Sequence, residues 1–83
     1  MDGVLTLDII ERATLQTRQV EWVEVQVPHG NFIIGPGHCP LASLLRKRGV
    51  MTYKLVDGDI VTLHAAKGTV TVLDGRVTLI LDE

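Results

Sequence analysis

The chain has 83 residues, of which 46% are hydrophobic and 22% are charged, so it can form one core and is too short for a two-domain enzyme. Its formal net charge of −2 is far from the strongly basic balance of a protein that neutralises phosphates, which argues against a nucleic-acid partner. The single cysteine, Cys39, cannot form an internal disulfide, and no apolar run reaches the roughly 18 residues of a membrane-spanning helix. We therefore predict one domain over residues 1–83, with no direct membrane insertion.

The first half of the chain begins with two predicted strands. β-Branched residues, which favour sheets, make up 25 of the 83 residues. Apolar and polar residues alternate from Leu5 to Ile9 and again from Val20 to Val27, as in half-buried strands. Pro28 ends the second strand because proline cannot donate to a sheet ladder. Trp22 lies opposite the valine face, where it is either a partly exposed contact residue or a cap on a sheet edge.

The segment from Gly30 to Pro40 is predicted to be the most constrained loop of the chain. It holds three of the eight glycines and two of the three prolines around a short apolar group. The following residues, Leu41 to Leu45, show no clean alternation. They lead into the basic turn Arg46–Gly49, which is either solvated or faces an acidic surface of a partner.

The second half of the chain is more regular. Four strands are predicted, at Val50 to Val56, Ile60 to Ala65, Thr69 to Leu73 and Arg76 to Leu81. Asp57-Gly58 and Asp74-Gly75 predict type I′ hairpin turns, and the four strands then form a meander. Lys67-Gly68 indicates either a bend or bulge, or the tip of another tight turn. This pattern of short strands predicts an all-β antiparallel sandwich or small barrel.

Three possible chemical sites are disfavoured by the residues that would form them. Cys39 adjoins His38, but neighbouring side chains in an extended loop point apart, so a thiolate–imidazole pair is disfavoured. His29, His38, His64 and Cys39 lack a recognisable metal-ligand spacing. The Gly35–Gly37 segment contains a proline and lacks a following Walker lysine, which disfavours a phosphate cradle. The sequence thus predicts no catalytic residue, no metal and no cofactor.

The sequence also resembles a known protein family. The segment from Gly30 to Leu41 contains Pro-Gly-His-Cys-Pro-Leu, which resembles the Pro-Gly-His-Ala-Pro-Leu signature of the epsilon subunit of the F-type, proton-translocating rotary ATP synthase. Leu7–Ile10, Val23–Val27 and Val77–Asp82 are similar to strands of the same family, so the resemblance covers nearly the whole chain. The chain departs from the family pattern at Ile33, where glycine is usual, at Cys39, where alanine is usual, and in a shorter turn from Pro28.

The resemblance implies an antiparallel β-sandwich of about 8–10 short strands. It also implies a non-catalytic subunit on the central stalk, which links the gamma subunit to the c-ring and couples proton transport to ATP synthesis. Such a subunit is peripheral, at the cytoplasmic face of the energy-coupling membrane. The C-terminal helical hairpin of the family, which restrains ATP hydrolysis, is expected to be absent, so the chain is not expected to latch the enzyme.

The resemblance further implies a partner-binding face around the segment Gly30–Leu41, which we call the signature loop. Proline and glycine fix the loop in advance and reduce the entropy that is lost on binding. For His38 alone, a histidine bonded to nearby backbone is the simpler interpretation, and the resemblance favours a partner contact instead. The residues assigned to this face are Asn31, His38, Cys39, Pro40, Leu41 and Ser43.

Two alternative functions are also consistent with the sequence. One is a stand-alone β-sandwich binding module that has kept the fold without the rotary role. The other is a lipoyl or biotinyl carrier domain, with Lys67 modified at a hairpin tip. The usual Met-Lys-Met or Asp-Lys-Ala context of carrier domains is absent around Lys67, which disfavours the second alternative.

Overall fold

The computed structural model describes residues 3–82, which form eight strands. The predicted all-β fold is confirmed, and this number of strands falls within the predicted range of 8–10. The strands are β1 (Leu5–Glu11), β2 (Thr14–Val27), β3 (Gly30–Ile34), β4 (Leu41–Leu44), β5 (Gly49–Leu55), β6 (Ile60–Ala65), β7 (Lys67–Leu73) and β8 (Arg76–Asp82).

The strands form one continuous hydrogen-bonded sheet, which folds into two layers at β2. The order along the sheet is β4-β7-β8-β1-β2-β5-β6, and β3 also pairs with β2. The first half of β2 pairs with β1, whereas from Val20 onward β2 pairs with β5 and β3. The register shifts between Val20 and Trp22, as at a bulge, and bulges increase local twist. The result is a five-stranded layer (β4, β7, β8, β1 and the start of β2) over a four-stranded layer (β3, the end of β2, β5 and β6).

The core lies between the two layers and follows the alternation seen in the sequence. Inward-facing residues of both layers join in one cluster, so the fold buries both apolar faces at once. The members that are no more than 3% exposed are Leu5, Leu7, Ile9, Val20, Val23, Val25, Ile34, Met51, Val70, Val72, Val77 and Leu79.

One strand pair departs from the predicted antiparallel arrangement. β1 and β8 pair in parallel, with Leu7 beside Val77 and Ile9 beside Leu79, while every other pair described is antiparallel. These two strands come from opposite ends of the sequence. No hairpin joins them, so no tight turn forces them to run in opposite directions.

Three predicted boundaries were wrong. The loop predicted from Gly30 to Pro40 begins as strand β3, and β2 starts at Thr14 rather than at Val20. Leu41–Leu44, which was not predicted to be a strand, forms β4. Its alternation was hidden because leucines lie on both faces: half-buried Leu41 packs on the core and Leu44 is exposed.

The two Asp-Gly turns differ from one another. Asp74 and Gly75 have φ angles of 51° and 76°, which confirms the predicted type I′ turn. At the other turn only Gly58 has a positive φ, of 106°, and its N–H donates to the carbonyl of Leu55 at 2.9 Å. The type I′ prediction is therefore wrong for Asp57-Gly58, where a longer loop begins with a type I turn.

The predicted meander is interrupted between β6 and β7. β6 pairs with β5, whereas β7 pairs with β4 and β8, so a bend at Ala66 carries the chain from one layer to the other. The Lys67-Gly68 segment is therefore next to a bend and is not the tip of a tight turn. Gly68 allows β8 to approach closely, since a Cβ atom there would lie 2.4 Å from the carbonyl oxygen of Ile80.

Candidate partner interface

The loop between β3 and β4 is held by local backbone geometry. The N–H of His38 donates to the carbonyl of Gly35 at 3.1 Å, and Gly37 has a φ of 82°, which favours glycine. The Nδ1 atom of His38 lies 2.8 Å from the backbone oxygen of Cys39. Because a carbonyl oxygen can only accept, this contact requires Nδ1 to carry a proton.

The structure separates the six residues assigned to the partner face into three groups. His38, Cys39 and Pro40 lie together in the loop, where Cys39 and Pro40 are exposed and His38 is half-buried. Asn31 is exposed on β3, three residues before the end of that strand and so about 10 Å from the loop.

Leu41 and Ser43 form the third group, on the inward face of β4. They pair with Val72 and Val70, which are both buried. Ser43 is half-buried, and its hydroxyl donates to the backbone oxygen of Leu44 at 2.9 Å. The residues of β4 that face outward are therefore Ala42 and Leu44.

An apolar surface that the sequence analysis missed lies on the outer face of the five-stranded layer. The strand registers align five residues, one from each neighbouring strand, into what we call the apolar row: Leu44, Thr69, Ile80, Ile10 and Leu15. Leu44, Ile80 and Leu15 are 66%, 49% and 62% exposed. Alternation along each strand indicated which of these residues face outward, but only the registers show that they lie side by side.

A polar row lies two residues further along the same face. It consists of Ala42, Thr71, Thr78, Asp8 and Thr17. Asp8 is only 8% exposed although it faces outward. Its Oδ1 accepts from the hydroxyl of Thr17 at 2.8 Å, and its Oδ2 accepts from the guanidinium of Arg76. The Thr17 hydrogen bond, followed by the bond and charge of Arg76, lowers the pKa of Asp8 against the opposing effect of burial.

The structure also places the residues of the possible thiolate, metal and carrier-lysine sites. The Nδ1 of His38 bonds to a backbone oxygen, which is not the contact that would activate the Cys39 thiol. Within residues 3–82, no three His, Cys, Asp or Glu side chains form a group that could hold a metal ion. Lys67 is the first residue of β7 and lies 3.6 Å from Asp82, and it is not at a hairpin tip, so the geometry of a carrier domain is not met.

No helix long and apolar enough to cross a bilayer is found in the part of the chain that the structure describes.

Comparison with known proteins places the chain in a family. Two solved structures share the fold. The whole chain matches 53% of a chain in the Euglena gracilis mitochondrial ATP synthase (OSCP/F1/c-ring, rotational state 1), with a TM-score of 0.91 and 16% identity. In the second match, 95% of the present chain aligns with 63% of a chain in the Tetrahymena thermophila mitochondrial ATP synthase (central stalk/c-ring), with a TM-score of 0.78 and 9% identity.

The chain thus spans between half and two thirds of the length of these two chains. No curated protein sequence matches it significantly. The family model described as ATP synthase, Delta/Epsilon chain, beta-sandwich domain, matches residues 4–83. Because that match covers nearly the whole sequence, the chain belongs to the ATP synthase delta/epsilon chain family through its β-sandwich domain.

Proposed function

We propose that the chain is a non-catalytic, epsilon-type subunit of a rotary ATP synthase, which links the gamma subunit to the c-ring and couples proton transport to ATP synthesis. Family membership supports this proposal, as does the fold shared with chains of a central stalk/c-ring assembly and an F1/c-ring assembly. In this role the subunit is peripheral, at the cytoplasmic face of the energy-coupling membrane.

The observation that carries the proposal is the apolar row. It crosses five strands, and at the usual strand spacing it is about 19 Å wide. An exposed apolar surface of this kind marks a site of association. Covering Leu44, Ile80 and Leu15 removes exposed aliphatic surface from water and is worth about 1 kcal/mol for each side chain. We assign this surface to the gamma subunit.

The signature loop extends the same interface in our proposal. Asn31, His38, Cys39 and Pro40 provide the direct contacts, since at least part of each side chain reaches the surface. Leu41 and Ser43 belong to the interface as supporting residues, because they face inward and hold β4 so that Leu44 faces out.

Co-purification with the gamma subunit from the same source tests the proposal. Leu44→Asp/Ile80→Asp places two carboxylates in the apolar row without touching the core, and we expect it to weaken gamma binding at least tenfold. The matched control is Val56→Asp/Ile60→Asp, which changes two residues of similar exposure, 49% and 61%, at the turn between β5 and β6. His38→Ala tests the loop separately. Leu41 is unsuitable for a charge substitution because it packs against the core.

Two results would contradict the proposal. If the wild-type chain does not bind gamma, the stand-alone binding module becomes the better interpretation. If both double variants bind equally well, gamma binds elsewhere on the molecule. Coupling is tested by adding the chain to an ATP synthase depleted of this subunit and measuring the protons pumped per ATP hydrolysed, which we expect to rise.

A further inference from the structure

The turn between β4 and β5 forms a rigid basic corner. We use this name for Arg46, Lys47 and Arg48 together with Lys67 at the start of β7. The N–H of Arg46 donates to the carbonyl of Gln26 at 2.8 Å, and the N–H of Arg48 donates to the carbonyl of Ala66 at 2.8 Å. The turn is thereby attached to the end of β2 and to the junction between the layers.

The basic corner carries positive charge that the described residues leave largely uncompensated. Arg46, Lys47 and Arg48 are exposed, and within residues 3–82 no carboxylate lies within 4 Å of Lys47 or Arg48. Lys67 differs, since it lies 3.6 Å from Asp82.

The overall charge of the chain has the opposite sign. The net charge is −2, and two of the carboxylates, those of Asp57 and Asp59, lie on the turn at the far end of β5. At the usual rise per residue that turn is about 20 Å from the basic corner. Such separation of charge produces a local positive field that attracts acidic groups.

Arg48 has a backbone conformation that does not suit arginine. Its φ is 56°, in the left-handed region that glycine and asparagine adopt at lower cost. Glycine or asparagine at this position would avoid that cost. Arg12 has a similar φ, of 57°, so charge and the neighbouring cleft, and not the backbone alone, distinguish Arg48.

Arg48 also borders a shallow cleft of about 340 Å³, whose other lining residues are His64, Ala65 and Ala66. The guanidinium is a fork of donors that fits a carboxylate, and the two alanines provide an apolar wall. A glutamate side chain complements both parts of the cleft. Its methylene groups pack against the alanines, and its carboxylate accepts hydrogen bonds from the guanidinium of Arg48.

We propose that the basic corner binds an acidic segment of a partner protein, with a glutamate or aspartate side chain in the cleft beside Arg48. The cleft beside Arg48 contains no residue of the apolar row or of the signature loop, although Lys67 borders Leu44 and Ile80 of that row. The proposal goes beyond the proposed function. Binding here does not require the gamma subunit.

Titration of the ¹⁵N-labelled chain with hexaglutamate, followed by NMR, tests this proposal. We expect the largest shifts at the amides of Arg48, Gly49 and Ala66. The variant Lys47→Gln/Arg48→Asn removes two charges and relieves the left-handed conformation, so it is expected to fold at least as well as wild type and to bind at least tenfold more weakly. The matched control, Arg18→Gln/Lys54→Gln, removes two charges elsewhere and is expected to change the affinity less than twofold.

Several results would overturn the proposal. An equal loss in both variants would show that only net charge matters. Equal shifts and affinity with inorganic phosphate at the same ionic strength would indicate a simple anion site. Binding to vesicles of phosphatidylglycerol and phosphatidylcholine without binding to hexaglutamate would indicate a lipid surface. Gamma co-purification is expected to be unchanged in Lys47→Gln/Arg48→Asn, which separates failure of this proposal from failure of the proposed function.

Discussion

Replacing Asp8 with asparagine is expected to destabilise the fold at neutral pH and to have little effect in acid. Asp8 joins three neighbouring strands, since it lies on β1, accepts from Thr17 on β2 at 2.8 Å and accepts from Arg76 on β8. Asparagine keeps the size of the side chain and one acceptor oxygen. The substitution therefore removes the negative charge and leaves the packing nearly unchanged.

The expected loss at neutral pH is about 1–2 kcal/mol. Hydrogen bonds to charged groups stabilise proteins by about 1.5–3 kcal/mol, roughly 1–1.5 kcal/mol more than neutral ones. Applying that difference to the Thr17 bond, and a smaller one to the Arg76 bond, whose donor stays charged, gives the range. The full penalty for breaking a buried ion pair does not apply, because the Arg76 side chain is 57% exposed and reaches solvent when its partner is lost. In a domain of this size, a loss of 1 kcal/mol lowers Tm by about 4–8 °C.

The pH dependence follows from the pKa of Asp8, which the Thr17 hydrogen bond and then Arg76 lower below its ordinary value of 3.8. A lowered pKa means that the ionised carboxylate stabilises the folded state. This contribution is fully present above pH 3.8 and is lost as the pH falls through the lower, folded-state pKa. Below that value wild-type Asp8 is protonated, so the difference from the asparagine variant is expected to shrink.

Urea unfolding at about pH 7 and at a descending series of pH values below 3.8 measures the difference directly. Asp82→Asn is the matched control, because it removes a carboxylate whose ion pair with Lys67 is exposed, and the expected change is below about 0.5 kcal/mol. Two results would refute the reasoning: wild-type stability of Asp8→Asn at neutral pH, or a deficit that persists unchanged in acid. The first would show that the charge adds no stability, and the second would show that the loss is one of packing.

Three further predictions concern packing and exposure. Leu79→Ala, at a side chain that is fully buried, is expected to cost about 2–5 kcal/mol in thermal unfolding, and a near-wild-type Tm would contradict the assigned core. Gly68→Ala is expected to cost about 1–3 kcal/mol because its Cβ would meet the carbonyl of Ile80, whereas Gly35→Ala, with nothing within 4 Å, is the control that should be much milder. Cys39 is exposed, so iodoacetamide is expected to alkylate it in the folded chain nearly as fast as in urea, and strong protection measured by mass spectrometry would show that the loop shields it.

The strands with a clear period of two were predictable from the sequence. Alternation identified Leu5, Leu7 and Ile9 as buried, and it placed β6 at Ile60–Ala65. β4 was not predictable, because Leu41 and Leu44 lie on opposite faces of the strand and mask its alternation. The signature loop was identified from its prolines and glycines, and the inward orientation of Leu41 and Ser43 became visible only through their pairing with β7.

The sequence by itself determined the class of fold and the family, since both depend on local pattern: residue type, alternation, turn residues and a short motif. Tertiary structure decided which strands are neighbours and in what register. The parallel pairing of β1 with β8, the apolar row and the contacts of Asp8 with Thr17 and Arg76 all depend on those registers. Asp8 and Arg76 are 68 positions apart along the chain, and local patterns carry no information about contacts between such distant residues.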